Sequence, residues 1–112
     1  MSDSDREPAV ACVLTAIPVA ERAQHVALAH RLFSTLAQER VELSDGFAIR
    51  FPNDAFDAVT RFVANERKCC PFMAFEIGIK RESGPVWLRM TGPEGTRALL
   101  RAELAIADGT PG

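Results

Sequence analysis

The residues able to do chemistry in this chain are concentrated in Asn65-Glu66-Arg67-Lys68-Cys69-Cys70-Pro71-Phe72, where two adjacent cysteines follow a carboxylate by one helical turn. A third thiol, Cys12, lies far upstream in an apolar run, and no further cysteine is present. Three thiolates able to meet in space would suit a soft ion: Cu(I), Zn(II), an iron–sulfur cluster or, by the same softness argument, Hg(II), Cd(II) or As(III). The two adjacent thiols can approach one large ion, and Cys12 would complete a three-sulfur site. Four-coordinate structural zinc would need a fourth ligand, from Glu66 or a histidine. The alternative is that the sulfurs only pack, since free cysteine is among the most buried residue types and behaves as a small hydrophobe.

Helix geometry favours the first reading. Residues 53–70 read as a helix, started by Asn53 or Asp54 as N-cap and stopped at the cysteines because Pro71 disfavours helical geometry at Cys70. Phe56, Val59, Phe62 and Val63 mark its inward stripe. Seven residues make nearly two turns, so Glu66 falls below Val59, Cys69 below Phe62 and Cys70 below Val63. Both thiols and the carboxylate thus continue the inward face. A carboxylate there is costly unless paired or functional. The helix C-terminus by itself would raise the thiol pKa values, an effect that Arg67 and Lys68 would offset. A disulfide between Cys69 and Cys70 themselves would close a strained eight-membered ring and is not expected as a staple.

The remaining elements must bring Cys12 to this corner. Residues 9–17 (AVACVLTAI) form a strand-length apolar run ended by Pro18, with alternation placing Val10, Cys12 and Leu14 on one face. Residues 19–38 predict a first helix whose inward stripe is Ala23, Val26, Ala29, Phe33 and Leu36. Residues 41–51 predict two short strands around Ser44-Asp45-Gly46, Asp-Gly being a strong hairpin turn. Residues 73–80 and 85–90 predict a second hairpin around Glu82-Ser83-Gly84, with Phe75, Ile77 and Ile79 alternating in one arm and Val86, Leu88 and Met90 in the other. Thr91-Gly92-Pro93-Glu94-Gly95 opens a last helix over 96–107, with Pro93 and Glu94 suited to its first turn. The expected fold is α+β, a single-domain sheet with helices on one face, in the order β-α-β-β-α-β-β-α. The domain spans 9–107, between flexible ends at 1–8 and 108–112.

Composition narrows the functional classes. With 112 residues the chain suits one domain with its own core, and 47% hydrophobic with 25% charged residues is an ordinary globular balance. A net charge of −2 offers no broad basic field to nucleic acid or an anionic membrane. No apolar run approaches the roughly 20 residues that cross a bilayer. The polar start, MSDSDREP, is unlike a secretory signal. A cytoplasmic address is therefore expected, with the odd number of thiols kept reduced. His25 and His30 are separated by about 140° around a helix and cannot act as a bidentate pair, so a solvated or core-edge role is expected. Trp87 falls on the strand face opposite Val86, Leu88 and Met90, half-exposed, as a pocket wall or dimer contact. Phe72 and Phe75 pack at the cysteine corner. Arg50, Arg89 and Arg101 read as solvated faces. The loop before the last helix lacks the lysine of a phosphate-binding loop and reads as a plain strand-to-helix turn.

Three segments, Ala11-Cys12-Val13-Leu14, Glu66-Arg67-Lys68-Cys69-Cys70-Pro71-Phe72 and Gly92-Pro93-Glu94-Gly95, resemble a group of small, mostly uncharacterised bacterial proteins and domains, some fused behind MerR-type regulators. The likeness spans about residues 9–104, and its most specific part is Cys-Cys-Pro-Phe. The resemblance implies that Cys12, Cys69, Cys70 and Glu66 form one site. By analogy with regulators that sense soft metals, it also implies heavy-metal handling. This chain lacks their helix-turn-helix region, so direct DNA binding is not expected.

The leading expectation is a soft-metal or metalloid-binding protein, with Cys12, Cys69 and Cys70 as ligands and Glu66 orienting a thiol or accepting its proton. Its partner would be the ion or a thiophilic small molecule, and edge strands would allow a homodimer. Two alternatives stay open. One is a thiol enzyme, cleaving a carbon–mercury bond with Glu66 delivering the proton or running thiol–disulfide chemistry. The other is an interaction module with structural cysteines and Trp87 at a partner surface.

Overall fold

The computed structural model describes residues 10–104. The expected flexible ends, and the expected last turn of the final helix, lie outside the described residues. Within them an α+β domain is built from α1 (Val19–Arg31), β1 (Glu39–Leu43), β2 (Gly46–Phe51), α2 (Phe56–Cys69), β3 (Ala74–Ile79), β4 (Val86–Thr91) and α3 (Thr96–Glu103). Two hairpins interlock so that the sheet order is β1-β2-β4-β3, antiparallel throughout. Both hairpins close where turn chemistry predicts, the second with Glu82 and Ser83 at positive φ.

One face of the sheet is the core. Phe47, Ile49 and Phe51 of β2 stand beside Met90, Leu88 and Val86 of β4, and all six are fully buried. Phe75 and Ile77 of β3 extend this face half-buried, while Ile79 at the strand end is exposed. The opposite face carries Arg50 and Arg89, paired with Glu39 and Glu76, and Trp87, half-exposed as the alternation requires. The helices cover the first face. At its β1 end α3 is clamped by Glu42, which accepts from Arg97 at 2.8 Å and from Arg101 at 2.5 Å. Arg101 also lies over the Phe47 ring, 5.4 Å from its centroid, so it is an anchored residue and not part of a solvated face.

The first predicted strand does not form. After residues 10–13 the chain makes a short 3-10 turn (Leu14–Ala16) and enters α1 through Pro18. Its Val13 N–H donates to the carbonyl of Cys69 at 2.7 Å. The last carbonyls of a helix lack intrahelical donors, and this segment supplies one at the end of α2. The order among the described residues is therefore α-β-β-α-β-β-α. The apolar run still contributes burial, since Ile17 is wholly enclosed.

The first helix follows its predicted span with one change. Its last turn, Leu32–Leu36, is π-helical, with Ala37 N–H donating to Leu32 O. Of the predicted stripe, Phe33 is buried and Ala29 and Leu36 pack on the core, but Ala23 and Val26 are exposed, and His25 and Leu32 are buried instead. On α2 the stripe is Ala58, Val59 and Phe62, continuing from Ala55 just before the helix, with Phe56 38% exposed and Val63 half-buried. Neither Asn53 nor Asp54 caps that helix. Residues Asn53–Ala55 form a 3-10 turn, and the Asn53 amide instead donates to Gly84 O at 3.0 Å, tying this turn to the second hairpin. Pro93 and Glu94 precede α3 instead of opening it, and Gly95 at φ 99° makes the entry.

Gly46 opens β2 opposite Thr91, where a Cβ would stand 1.8 Å from the Met90 carbonyl oxygen. That atom belongs to the central strand and cannot swing aside. Gly46→Ala should therefore lose about 3 kcal/mol of unfolding free energy in urea titration, whereas Gly78→Ala, with nothing within 4 Å of the added carbon, should change it little.

Candidate functional site

The site forms where α2 ends. Cys70, the residue after the helix, leaves helical geometry (φ −125°, ψ 67°) while its N–H still bonds Glu66 O at 2.8 Å. Pro71 forces this departure. Met73 N–H then returns to Cys70 O at 3.2 Å, folding the chain sharply into β3. The N-terminal segment, held by the Val13–Cys69 backbone bond, lays Cys12 against the same corner. Its Cα stands 4.5 Å from that of Cys70, and the two are joined as a disulfide. The expectation of three reduced thiols is corrected at this pair: Cys69 is the free cysteine among the described residues. The pairing skips the strained Cys69–Cys70 ring and uses the cysteine that docking brings alongside.

Glu66 is the centre of the cluster. It is 3% exposed and its two oxygens face different groups. Oε1 accepts from His25 Nε2 at 2.8 Å and lies 3.6 Å from Cys69 Sγ. Oε2 lies 3.3 Å from Cys70 Sγ. The sulfurs of Cys69 and Cys70 are 3.5 Å apart. One ligand atom from each of Cys12, Glu66, Cys69 and Cys70 falls within 4.8 Å of every other, so the four residues could hold a metal ion.

His25 was not expected here. It is 5% exposed, bonds Glu66 and stacks on Phe62 with centroids 5.4 Å apart and planes 11° from parallel. Phe62 in turn meets Phe33 edge-on at 5.2 Å, and Phe33 meets Phe51 at 5.9 Å, so an aromatic series runs from the site into the core. The signal that could have located His25 was the need of an inward Glu66 for a buried partner. Together with Phe33 and Leu32 it defines a helical face that the apolar residues Ala23 and Val26 had obscured. His25 Nδ1 is buried and has no hydrogen-bond partner.

A cavity of about 300 Å³ opens beside the cluster, and Cys12, His25, Glu66 and Cys69 form its reactive wall. Phe72, 7% exposed, packs beneath the corner. The thiol of Cys69 is pushed up to about 12, first by burial and then by the negative charge and hydrogen bond of Glu66. The arrangement therefore stores Cys69 as S–H, which donates toward Glu66 through its carboxylate or its backbone carbonyl, each at 3.6 Å.

Comparison with protein-family models, with curated proteins and with solved structures gives no match. Among the described residues no helix is long and apolar enough to cross a membrane.

Two outcomes follow from this geometry. Removing His25 leaves a buried oxygen of Glu66 without its hydrogen-bond partner, so His25→Leu should cost about 1–3 kcal/mol. The double variant His25→Leu/Glu66→Leu should recover much of that loss, a non-additivity read by denaturant titration of the four proteins in the cycle. Second, the fold holds Cys69 protonated up to about pH 12, whereas an unfolded cysteine ionises near about 8.5. The associated stability is complete below the unfolded value and is lost as pH rises from there toward 12. Melting temperatures should fall across that window more steeply in the wild type than in Cys69→Ser.

Proposed function

We propose that the dithiol form of this protein binds a soft, thiophilic metal or metalloid ion through Cys12, Cys69 and Cys70, with Glu66 as the fourth donor. The carrying observation is the convergence of those four ligand atoms within 4.8 Å. Sulfur ligands about 2.3 Å from a common ion stand roughly 4 Å from one another. The Cys69–Cys70 separation of 3.5 Å is already close to that value. Opening the Cys12–Cys70 bond lets both sulfurs relax outward by side-chain rotation, while the backbone bond between Val13 and Cys69 keeps Cys12 in place.

The donor set selects soft ions over hard ones. Three sulfurs against one carboxylate oxygen favour Hg(II), Cd(II), As(III), Cu(I) or Zn(II) over calcium or magnesium, which require oxygen ligands. His25 serves as the partner of Glu66, orienting the carboxylate from behind as buried ligand carboxylates commonly require. Ion and disulfide compete for the same electron pairs on Cys12 and Cys70. Ion binding therefore stabilises the reduced state, and oxidation expels the ion.

Protons compete as well. Binding needs thiolates, and each thiol that gives up its proton to the ion should weaken binding about tenfold for each pH unit of acidification.

Native mass spectrometry of reduced protein, titrated separately with Hg(II), Cd(II), As(III), Cu(I) and Zn(II), tests the proposal. One ion per chain should be taken up, with none by the oxidised protein and none by Cys69→Ser/Cys70→Ser. Equal uptake by the oxidised form would show binding elsewhere, and no uptake by fully reduced protein would sink the reading.

A further inference from the structure

The two sulfurs of the disulfide are not equivalent. Cys12 is half-buried and faces the cavity of about 300 Å³, whereas Cys70 is fully enclosed and takes no part in the cavity wall. The rest of that wall is apolar, from Leu14, Val26, Ala29 and Leu104, with His30 and Glu103 as polar members. Its volume lies at the small end of the range of about 300–1,000 Å³ that small-molecule sites occupy. His25, also in the wall, presents a buried Nδ1 without a partner. A closed metal centre needs no cavity of this kind beside it. A site whose reactive sulfur must be approached by a small molecule does.

We propose that the cavity admits a low-molecular-mass thiol or disulfide that exchanges with the protein at Cys12. This inference depends on the disulfide and the cavity, and it stands or falls separately from ion binding. In the reductive direction a thiolate RS⁻ attacks Cys12 Sγ. The Cys12–Cys70 bond breaks and its electron pair passes to Cys70 Sγ, leaving the mixed disulfide R–S–S–Cys12. The proton given up by the incoming thiol is regained at Cys70, whose sulfur sits 3.3 Å from Glu66 Oε2 and 3.5 Å from Cys69 Sγ. A second RS⁻ attacks the R-bearing sulfur of the mixed disulfide and releases RSSR and Cys12. Two thiols are thereby oxidised and one protein disulfide reduced. The reverse sequence oxidises the protein and reduces RSSR, with Cys12 attacking and Cys70 resolving. Attack in line with the S–S bond selects the accessible sulfur, so enclosure of Cys70 fixes the direction of entry.

The experiment uses oxidised wild-type protein with a chelator present, so that ion binding plays no part. Glutathione is added, the reaction is quenched in acid at short times, and the adduct is located by peptide mapping. The glutathionyl group should be on Cys12, in about tenfold or greater excess over Cys69 and Cys70 combined. A thiol of matched acidity carried on the surface of a folded protein should react about tenfold or more slowly, because it cannot enter. Ala29→Trp, which fills the cavity, should slow the glutathione reaction without displacing the disulfide. Adduct chiefly on Cys69 or Cys70 overturns the proposal, as does equal reactivity of the large and small thiols. These two arms need only the wild type, so a failure of the tryptophan variant to fold leaves the test intact.

Discussion

A carboxylate enclosed between two helices sets the conditions for the rest of this structure. Glu66 is 3% exposed, and an unpaired charge at such a position would be expelled or neutralised. It is retained because α1 brings His25 to one of its oxygens, while the cysteine corner occupies the other. That requirement fixes how α1 is rotated against α2. It also explains why α1 turns a histidine inward and leaves Val26 52% exposed. The stacking of His25 on Phe62, and the edge-on contacts of Phe33 with Phe62 and Phe51, carry this placement to the sheet.

The same carboxylate contributes to the chemistry of the sulfurs. Burial first, and then the charge of Glu66, hold Cys69 as a thiol while Cys12 and Cys70 are joined. The three cysteines are thus in two chemical states within a few ångströms. Soft-ion binding needs the disulfide opened; exchange with a small thiol opens it. The two proposed activities are successive uses of one set of atoms, with Glu66 beside the sulfur that changes state in both.

Secondary structure was legible wherever local rules were strong. The two hairpins, their turns and the alternation in β3 and β4 follow from short-range periodicity and turn chemistry, and so does the end of α2 before Pro71. The inward positions of Glu66, Cys69 and Cys70 follow from helical repeat alone. The failed expectations share a cause. Residues 9–17 have the composition of a strand, but a strand needs an edge to pair with. Here the segment finds its donor–acceptor partner at the exposed carbonyls of α2. The α1 stripe holds at Ala29, Phe33 and Leu36 but fails at Ala23 and Val26, because a buried histidine was needed to satisfy a carboxylate that lies 41 residues further along the chain.

The sequence by itself determined the α+β character, the two hairpins and a helix that delivers a carboxylate and two adjacent cysteines to its inner, C-terminal corner. Those features depend on residues within a few positions of one another, where spacing and backbone preference suffice. Only the tertiary structure decided that Cys12 joins Cys70, that His25 pairs with Glu66 and that a cavity exposes one disulfide sulfur while the other is enclosed. Each of these is a contact between segments distant in the chain. Its geometry depends on how two helices and an N-terminal segment settle against each other, which no local period records.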